Sequence, residues 1–388
     1  MIVKNLEGNM SSEKKPSVVI IGAGRLGKGF IGEVFDKANW QVIFVDKCIK
    51  VVEELRTGSY KVRITGEKEV STREVSNYQT IYSIGSKEFE KAFLESNLVM
   101  IPVYPEDLDE VFTDLVPSIQ KMYEEDSNKK IDLVLLTNQI GLVEKLYGLL
   151  QLNVTKELYD WIQDHLFIRD SIIRRSTDAS SNTSLNIHSI AIASLLIEKP
   201  IHVSLKNVDW METVGEVQKL KKLKLFMMNG PHAAAAFMGK YKGYNDILDA
   251  QNDSEIAILV EKVTNEIYSA CKVEFDLDTE KINSIIKLPE ENQNMHDSTF
   301  RIAFDPIRKL AIEDRLCGPI MLAEKNKLNH IYLDKAVAYG FKYYDKEDPN
   351  AVKLQEEIKG KGIFSTVQSV TGLEDNVVCR IVEEYEKL

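Results

Sequence analysis

Two short stretches hold residue types at spacings that can do chemistry. The first, Gly22-Ala23-Gly24-Arg25-Leu26-Gly27, has the Gly-x-Gly-x-x-Gly form of a phosphate cradle, and an acid, Asp46, stands about twenty residues further on. In that form the first glycine permits a tight turn. The second lets backbone approach a pyrophosphate, and the third lets a helix pack closely on a strand. The phosphates then meet free N–H groups at the helix N-terminus. A carboxylate at Asp46 accepts hydrogen bonds from the adenosine ribose hydroxyls and repels a 2′-phosphate, which favours NAD over NADP; Lys47 beside it weakens that preference. The second stretch is Lys224-Leu-Phe-Met-Met-Asn229-Gly-Pro-His232, a cation, an amide and an imidazole among apolar residues that continue through Ala233 to Ala236. At ~100° per residue on one helix, Lys224 to Asn229 turns ~140° and Lys224 to His232 ~80°, loosely one side. Spacing alone also allows a plain account: a surface lysine, a capping amide and a core histidine.

These residues need elements to hold them. Ser17-Val-Val-Ile-Ile21 is a β-branched run that reads as a buried parallel strand. It leads into the glycine loop, a helical pattern from Lys28 to about Lys37, and a second apolar run from Trp40 to Val45 that ends at Asp46. Strand, glycine loop, helix, strand and acid together predict a dinucleotide-binding unit. Tyr60, Val62 and Ile64 alternate as a strand does, and Gly66-Glu67-Lys68 reads as a turn. Residues 97–103 and 131–136 are further buried strands, the second ending in Thr137-Asn138-Gln139. Residues just past strand C-termini line the ligand crevice of an open parallel sheet, so Asn138 stands either where chemistry occurs or as an ordinary turn residue at a strand end.

After about Val208 helical periodicity takes over, and helices are predicted over 210–229, 231–241, 253–271, 279–286, 305–323, 329–339 and 350–359. Gly230-Pro231 marks a junction, with Pro231 suited to the first turn of a second helix. The basic run Lys219-Leu-Lys-Lys-Leu-Lys224 and the mixed charges of 350–359 read as solvated faces. The fold class expected is α/β. An N-terminal Rossmann-type dinucleotide-binding domain, 17–208, is followed by an all-α C-terminal domain, 209–388, with the active site in the cleft between them.

Composition narrows the function classes. The chain has 388 residues, 44% hydrophobic and 28% charged, as expected of a globular protein. Its net charge of −11 argues against a binder of nucleic-acid backbone. The four cysteines, Cys48, Cys271, Cys317 and Cys379, are dispersed, as are the six histidines, so neither a zinc site nor a disulfide scaffold is expected. Reduced thiols in a cytoplasmic protein are the plain reading. No apolar run reaches the ~20 residues of a membrane span, and the polar start up to Pro16 lacks a signal-peptide core.

The combination of motifs carries more than any one of them. Lys224-x4-Asn229-x2-His232 resembles the signature of the polyol-specific long-chain dehydrogenases. GAGRLGKGFIG (22–32), DPIRKLAIEDRLCGPI (305–320) and FKYYDKEDPNAVKL (341–354) are similar, in order, to segments of the short mannitol-1-phosphate branch of that family. The resemblance spans nearly the whole chain after Ser17 and implies metal-independent, NAD-dependent oxidation of a polyol phosphate, mannitol 1-phosphate to fructose 6-phosphate or a close analogue. It implies that Lys224 is the general acid/base, with its pKa lowered so that the neutral amine can take a proton. Asn229 and Asn138 would hydrogen-bond the reacting oxygen, His232 would orient substrate hydroxyls, and Arg301 and Lys309 would grip the substrate. Thr137 and Arg174 stand where the family carries acids; the Arg174 guanidinium either anchors a phosphate or carboxylate, depresses Lys224, or points to solvent. The rival expectations are a related dehydrogenase of another polyol, a uronate or a hydroxy acid, and a non-catalytic NAD-binding regulator.

Overall fold

The structure is a computed structural model that describes residues 15–66, 69–191, 194–276 and 298–388, and the backbone alone at Ser176. The expected helix over 279–286 and the Glu67-Lys68 turn lie outside these residues. The chain divides into two compact units, Met1–Gln218 and Lys219–Leu388.

In the first unit the strands run β1 (Ser17–Ile21), β2 (Gln41–Asp46), β3 (Tyr60–Thr65), β4 (Val70–Val75), β5 (Tyr78–Tyr82), β6 (Leu98–Ile101) and β7 (Ile131–Leu135). They continue with β8 (Leu166–Arg169), β9 (Ser171–Ile172), β10 (Ser176–Asp178), β11 (Asn186–Ile190), β12 (Leu195–Glu198) and β13 (Met211–Val214). Six of them form an all-parallel sheet in the order β5-β2-β1-β6-β7-β8. Once the β3–β4 pair is set aside this is the 3-2-1-4-5-6 order of the dinucleotide fold. Alternation along each strand feeds two cores. Val19, Ile21, Val99, Ile101, Leu133 and Leu135 face helices Lys87–Glu95, Leu108–Glu125, Leu142–Asn153 and Lys156–His165. Val18, Ile20, Val42, Phe44 and Met100 face Phe30, Ile31, Val34 and Phe35 of the helix after the glycine loop. Both faces are covered, so the strands read as continuous apolar runs.

Two smaller sheets, β10-β11-β3-β4 and β13-β12-β9, complete this unit. β13 corrects the expectation of helix from Trp210. Met211–Val214 pairs in parallel with Leu195–Glu198, Trp210 turns the chain at φ 64°, and the helix begins only at Val217 after Glu216 at φ 53°.

The second unit is helical. Gly230–Tyr241 runs through its core, where Ala233 to Ala236 are fully buried. Their small side chains let Ser254–Phe275, Thr299–Ala303 and Ile331–Lys342 pack closely around them. The helix expected over 305–323 is interrupted: Asp305 sits in the left-handed region at φ 61°, and only Pro306–Lys309 and Cys317–Lys325 are helical. Helices Ile363–Thr371 and Asp375–Lys387 were not expected. Among the described residues no helix is long and apolar enough to cross a membrane.

The Gly230-Pro231 junction is not a break. Val217–Lys224 passes into a π-helical turn, Leu225–Asn229, and then into Gly230–Tyr241, with right-handed backbone at Lys224, Asn229 and Gly230. Pro231, which has no N–H to donate, follows directly on the wide turn, where the regular α-helical hydrogen-bond ladder is already interrupted. Gly230 is required by packing: a Cβ there would fall 2.7 Å from the Arg315 carbonyl oxygen and 2.7 Å from Ile267 Cδ1. Gly360, also helical, has nothing within 4 Å of that position. Gly230→Ala should therefore lose about 1–3 kcal/mol through overpacking, whereas Gly360→Ala should gain about 0.5–1 kcal/mol through helix propensity. Urea unfolding of both variants checks this, and a Gly230→Ala midpoint at or above wild type would contradict the packing account.

Candidate functional site

At the C-terminal end of β1 the chain turns through Gly22, whose φ of 109° excludes most side chains, and Gly22 N donates to Val45 O at 2.8 Å. A Cβ on Gly27 would land on the Gly22 carbonyl oxygen, so the helix starts in direct contact with the turn. Gly24 has open space where its Cβ would be. Turn, open backbone and tight helix contact are the three requirements of a pyrophosphate cradle, so these residues fit a dinucleotide.

Asp46 closes β2 half-buried. One carboxylate oxygen accepts from Ala23 N at 2.9 Å and the other from Cys48 N at 2.8 Å, which aims the group at the glycine loop. Each oxygen keeps acceptor capacity for ribose hydroxyls. A cavity of about 260 Å³ opens here, and Asp46, Asp107, Glu110 and Asp114 all line it. Lys47 is taken up by two of these acids, at 3.0 Å from Asp107 and 2.6 Å from Glu110, and those hydrogen bonds raise its pKa. Its charge is thus neutralised locally, and the cavity's acidic lining disfavours a 2′-phosphate more than the sequence alone indicated.

A second cavity, of about 390 Å³, shares Gly24 with the first and brings together Arg25, Leu26, Thr137 and Asn138. Arg25 reaches Asp178 at 3.5 Å. Asn138, just past β7, grips the backbone of Ile173: its Oδ1 accepts from Ile173 N at 3.0 Å and its Nδ2 donates to Ile173 O at 3.4 Å. Arg174 follows, half-buried. Its neighbour Arg175 is buried, donating from Nε to Ser189 at 2.8 Å and from Nη2 to Glu33 at 3.4 Å, with its guanidinium 4.5 Å from the Phe30 ring centre. Burial lowers the Arg175 pKa and raises that of Glu33.

In the second unit the π-helical turn changes the angular relation of the polar residues. Where hydrogen bonds span i to i+5, residues five apart stack as residues four apart do in an α-helix. Lys224 and Asn229 therefore lie on one side, and His232, three residues on in regular helix, lies on the same face. Lys224 and Asn229 are half-buried and His232 keeps an exposed edge. Partial burial lowers the His232 pKa, and the Arg301 guanidinium adds to the effect, so the structure brings these two together. Lys221, expected on a solvated face, is buried.

Lys309 is also buried, and its ammonium donates to the Phe304 carbonyl. Burial, then Arg315 and Arg308, push its pKa down to about 8 against Asp305 and Asp314. The turn that carries it is held by residues that sequence reasoning did not single out. The fully buried Asp348 accepts from Asp305 N at 2.8 Å, and Asn350 Nδ2 donates to Asp305 Oδ1 at 2.8 Å, fixing the left-handed Asp305. The signal was present as Asp348-Pro349-Asn350, a helix-start pattern in which Asp348 also caps Asn350 N and Ala351 N. Among the described residues no cluster of three or more His, Cys, Asp or Glu could hold a metal ion.

The profile of the mannitol dehydrogenase Rossmann domain matches residues 16–211, and that of the mannitol dehydrogenase C-terminal domain matches 216–388. A mannitol-1-phosphate 5-dehydrogenase of Thermoanaerobacter pseudethanolicus is 26% identical over 379 residues, covering 95% of this chain and 97% of its own. That of Caldanaerobacter subterraneus subsp. tengcongensis is 28% identical over 378 residues, covering 94% and 96%. Among solved structures, a substrate-free D-sorbitol dehydrogenase superposes with a TM-score of 0.72 at 16% identity, covering 96% of this chain and 93% of its own. Pseudomonas fluorescens mannitol 2-dehydrogenase, in a ternary complex with NAD and D-mannitol, superposes with a TM-score of 0.68 at 14% identity, covering 97% and 92%. At these identities the structural likeness speaks for the fold. With both halves matched, the chain belongs to the mannitol dehydrogenase family and is an NAD-dependent oxidoreductase acting on CH–OH groups.

Proposed function

We propose that this enzyme interconverts mannitol 1-phosphate and fructose 6-phosphate in the cytoplasm. The observation that carries the reading is the wide turn that stacks Lys224 over Asn229 and continues to His232, with Arg301 beside the imidazole. The full-length likeness to two mannitol-1-phosphate 5-dehydrogenases supports the substrate.

Bound NAD supplies the hydride acceptor. The carbinol at C5 must also lose its proton, and Lys224 takes it as the neutral amine; in the reverse direction Lys224 returns it to the carbonyl oxygen. Asn229 and Asn138 donate to that oxygen and stabilise its developing negative charge. His232, lowered in pKa and so neutral near pH 7, both donates and accepts for substrate hydroxyls. Arg301 and Lys309 are the cations for the phosphate, and Arg174 is a third contact at the substrate. Gly22, Gly24, Arg25, Leu26 and Gly27 hold the diphosphate, and Asp46 holds the adenosine ribose.

The test is reduction of a panel of carbonyl compounds by NADH. Fructose 6-phosphate should exceed fructose, uronates and 2-keto acids by about a hundredfold in kcat/KM, as two charge-assisted contacts to phosphate imply. Because Lys309 is a cation only below about pH 8, the KM for fructose 6-phosphate should rise above that pH in wild type and be raised at every pH in Lys309→Met. A keto acid or an unphosphorylated sugar as best substrate would overturn the assignment. For the cofactor, Asp46→Ala removes the ribose acceptor and one acid of the cavity. The NADH to NADPH ratio of kcat/KM should fall by roughly tenfold or more; an unchanged ratio would mean that Asp46 does not meet the ribose.

A further inference from the structure

The two cavities at the glycine loop share five lining residues: Gly24, the segment 102–104 on one side, and Asn182. Asn182 belongs to neither strand end of the parallel sheet. It stands at the tip of the β10–β11 hairpin, whose strands are built into a different sheet. That hairpin lies directly on the helix that follows the glycine loop: a Cβ on Gly29 would collide with Ile187. The tip is tied down from below by Lys28, which is fully buried and whose ammonium donates to Asn182 O at 2.7 Å and Ser184 O at 2.9 Å. Arg25 and Asp178 make a second, more exposed tie at 3.5 Å.

Burying an ammonium is costly, and a surface hairpin gains little stability from it that an apolar side chain could not supply. The desolvation is large enough to bring Lys28 down to about 8 against the raising influence of Asp46 and Glu54. What the arrangement does secure is position. Two carbonyls of the tip are fixed by Lys28 of the helix that follows the glycine loop, and Asn182, like Gly24, lines both the Asp46 cavity and the Asn138 cavity. A dinucleotide seated on the loop has its ribose at the Asp46 end and its diphosphate at Gly24. A neutral amide at residue 182 donates to phosphate oxygens without discriminating between oxidised and reduced nicotinamide.

We propose that the hairpin tip forms the third wall of the dinucleotide site, with Asn182 hydrogen-bonding the cofactor diphosphate and Lys28 acting as the positioning residue that holds it there. The inference rests on NAD as the cofactor, which titration of the wild-type protein verifies independently. NADH binding is read by its fluorescence in the full-length protein, and ADP and adenosine by displacement. Asn182→Ala should raise the Kd for NADH and for ADP about tenfold while leaving adenosine unchanged. Lys28→Met should reproduce that pattern, and the double variant should be no weaker than the weaker single one, because both act through one contact. Kd values for NADH and ADP within about twofold of wild type in Asn182→Ala would overturn the proposal. So would an equal loss for adenosine, which would signal a collapsed pocket. Should Lys28→Met fold poorly, Asn182→Ala, at an exposed position, decides alone.

Discussion

A helix wound wider than the α-helix, and pressed against its neighbour too closely for a side chain, occurs at the cofactor loop and again at the Lys224 segment. Gly27–Gly32 is such a turn at the cofactor loop, and Leu225–Asn229 is another in the second unit. Each adjoins a glycine whose Cβ position is already occupied, by the Gly22 carbonyl in one case and the Arg315 carbonyl in the other. Wide turns lose good hydrogen-bond geometry and persist mainly where packing or function requires them. Here the gain is angular. A regular helix would leave Lys224 and Asn229 ~140° apart, and the i to i+5 turn stacks them.

The second shared feature is charge held in apolar surroundings. Lys28, Glu33, Arg175 and Lys309 are all buried, and burial moves each pKa toward the neutral form. Each is compensated by a specific partner: hairpin carbonyls for Lys28, the Glu33–Arg175 pair for its two members, and the Phe304 carbonyl for Lys309. A partnered buried charge restricts conformation, because any other arrangement leaves it unsatisfied. This explains how irregular segments such as the turn at Asp305 and the tip around Asn182 keep a defined position without regular secondary structure.

What was legible in the sequence follows from range. The glycine loop and Asp46 depend on neighbours in sequence, and the strands that carry them are continuous apolar runs, so the Rossmann-type half was readable. The resemblance to the polyol dehydrogenases was readable because its motifs keep their order along the chain, and the two matched domains agree with it. The strand Met211–Val214 was not, because its identity comes from pairing with Leu195–Glu198. The short helix Pro306–Lys309 starts from a left-handed Asp305 that is fixed by Asp348, more than forty residues away. Gly230-Pro231 looked like a helix stop because both residues disfavour helix interiors, while packing against Arg315 and Ile267 is what selects the glycine. Lys28 carried a signal that went unused, a cation inside the apolar Gly-Lys-Gly-Phe-Ile-Gly run.

The central claim is that Lys224 carries the proton of the reaction from its place above Asn229. Chemical rescue tests it most directly. Lys224→Ala should bind NADH as the wild type does and lose turnover by at least about a hundredfold, the low end of what a general acid/base contributes. Small primary amines added to the assay should restore part of that turnover, more so as their basicity rises. Unchanged turnover in Lys224→Ala would contradict the account.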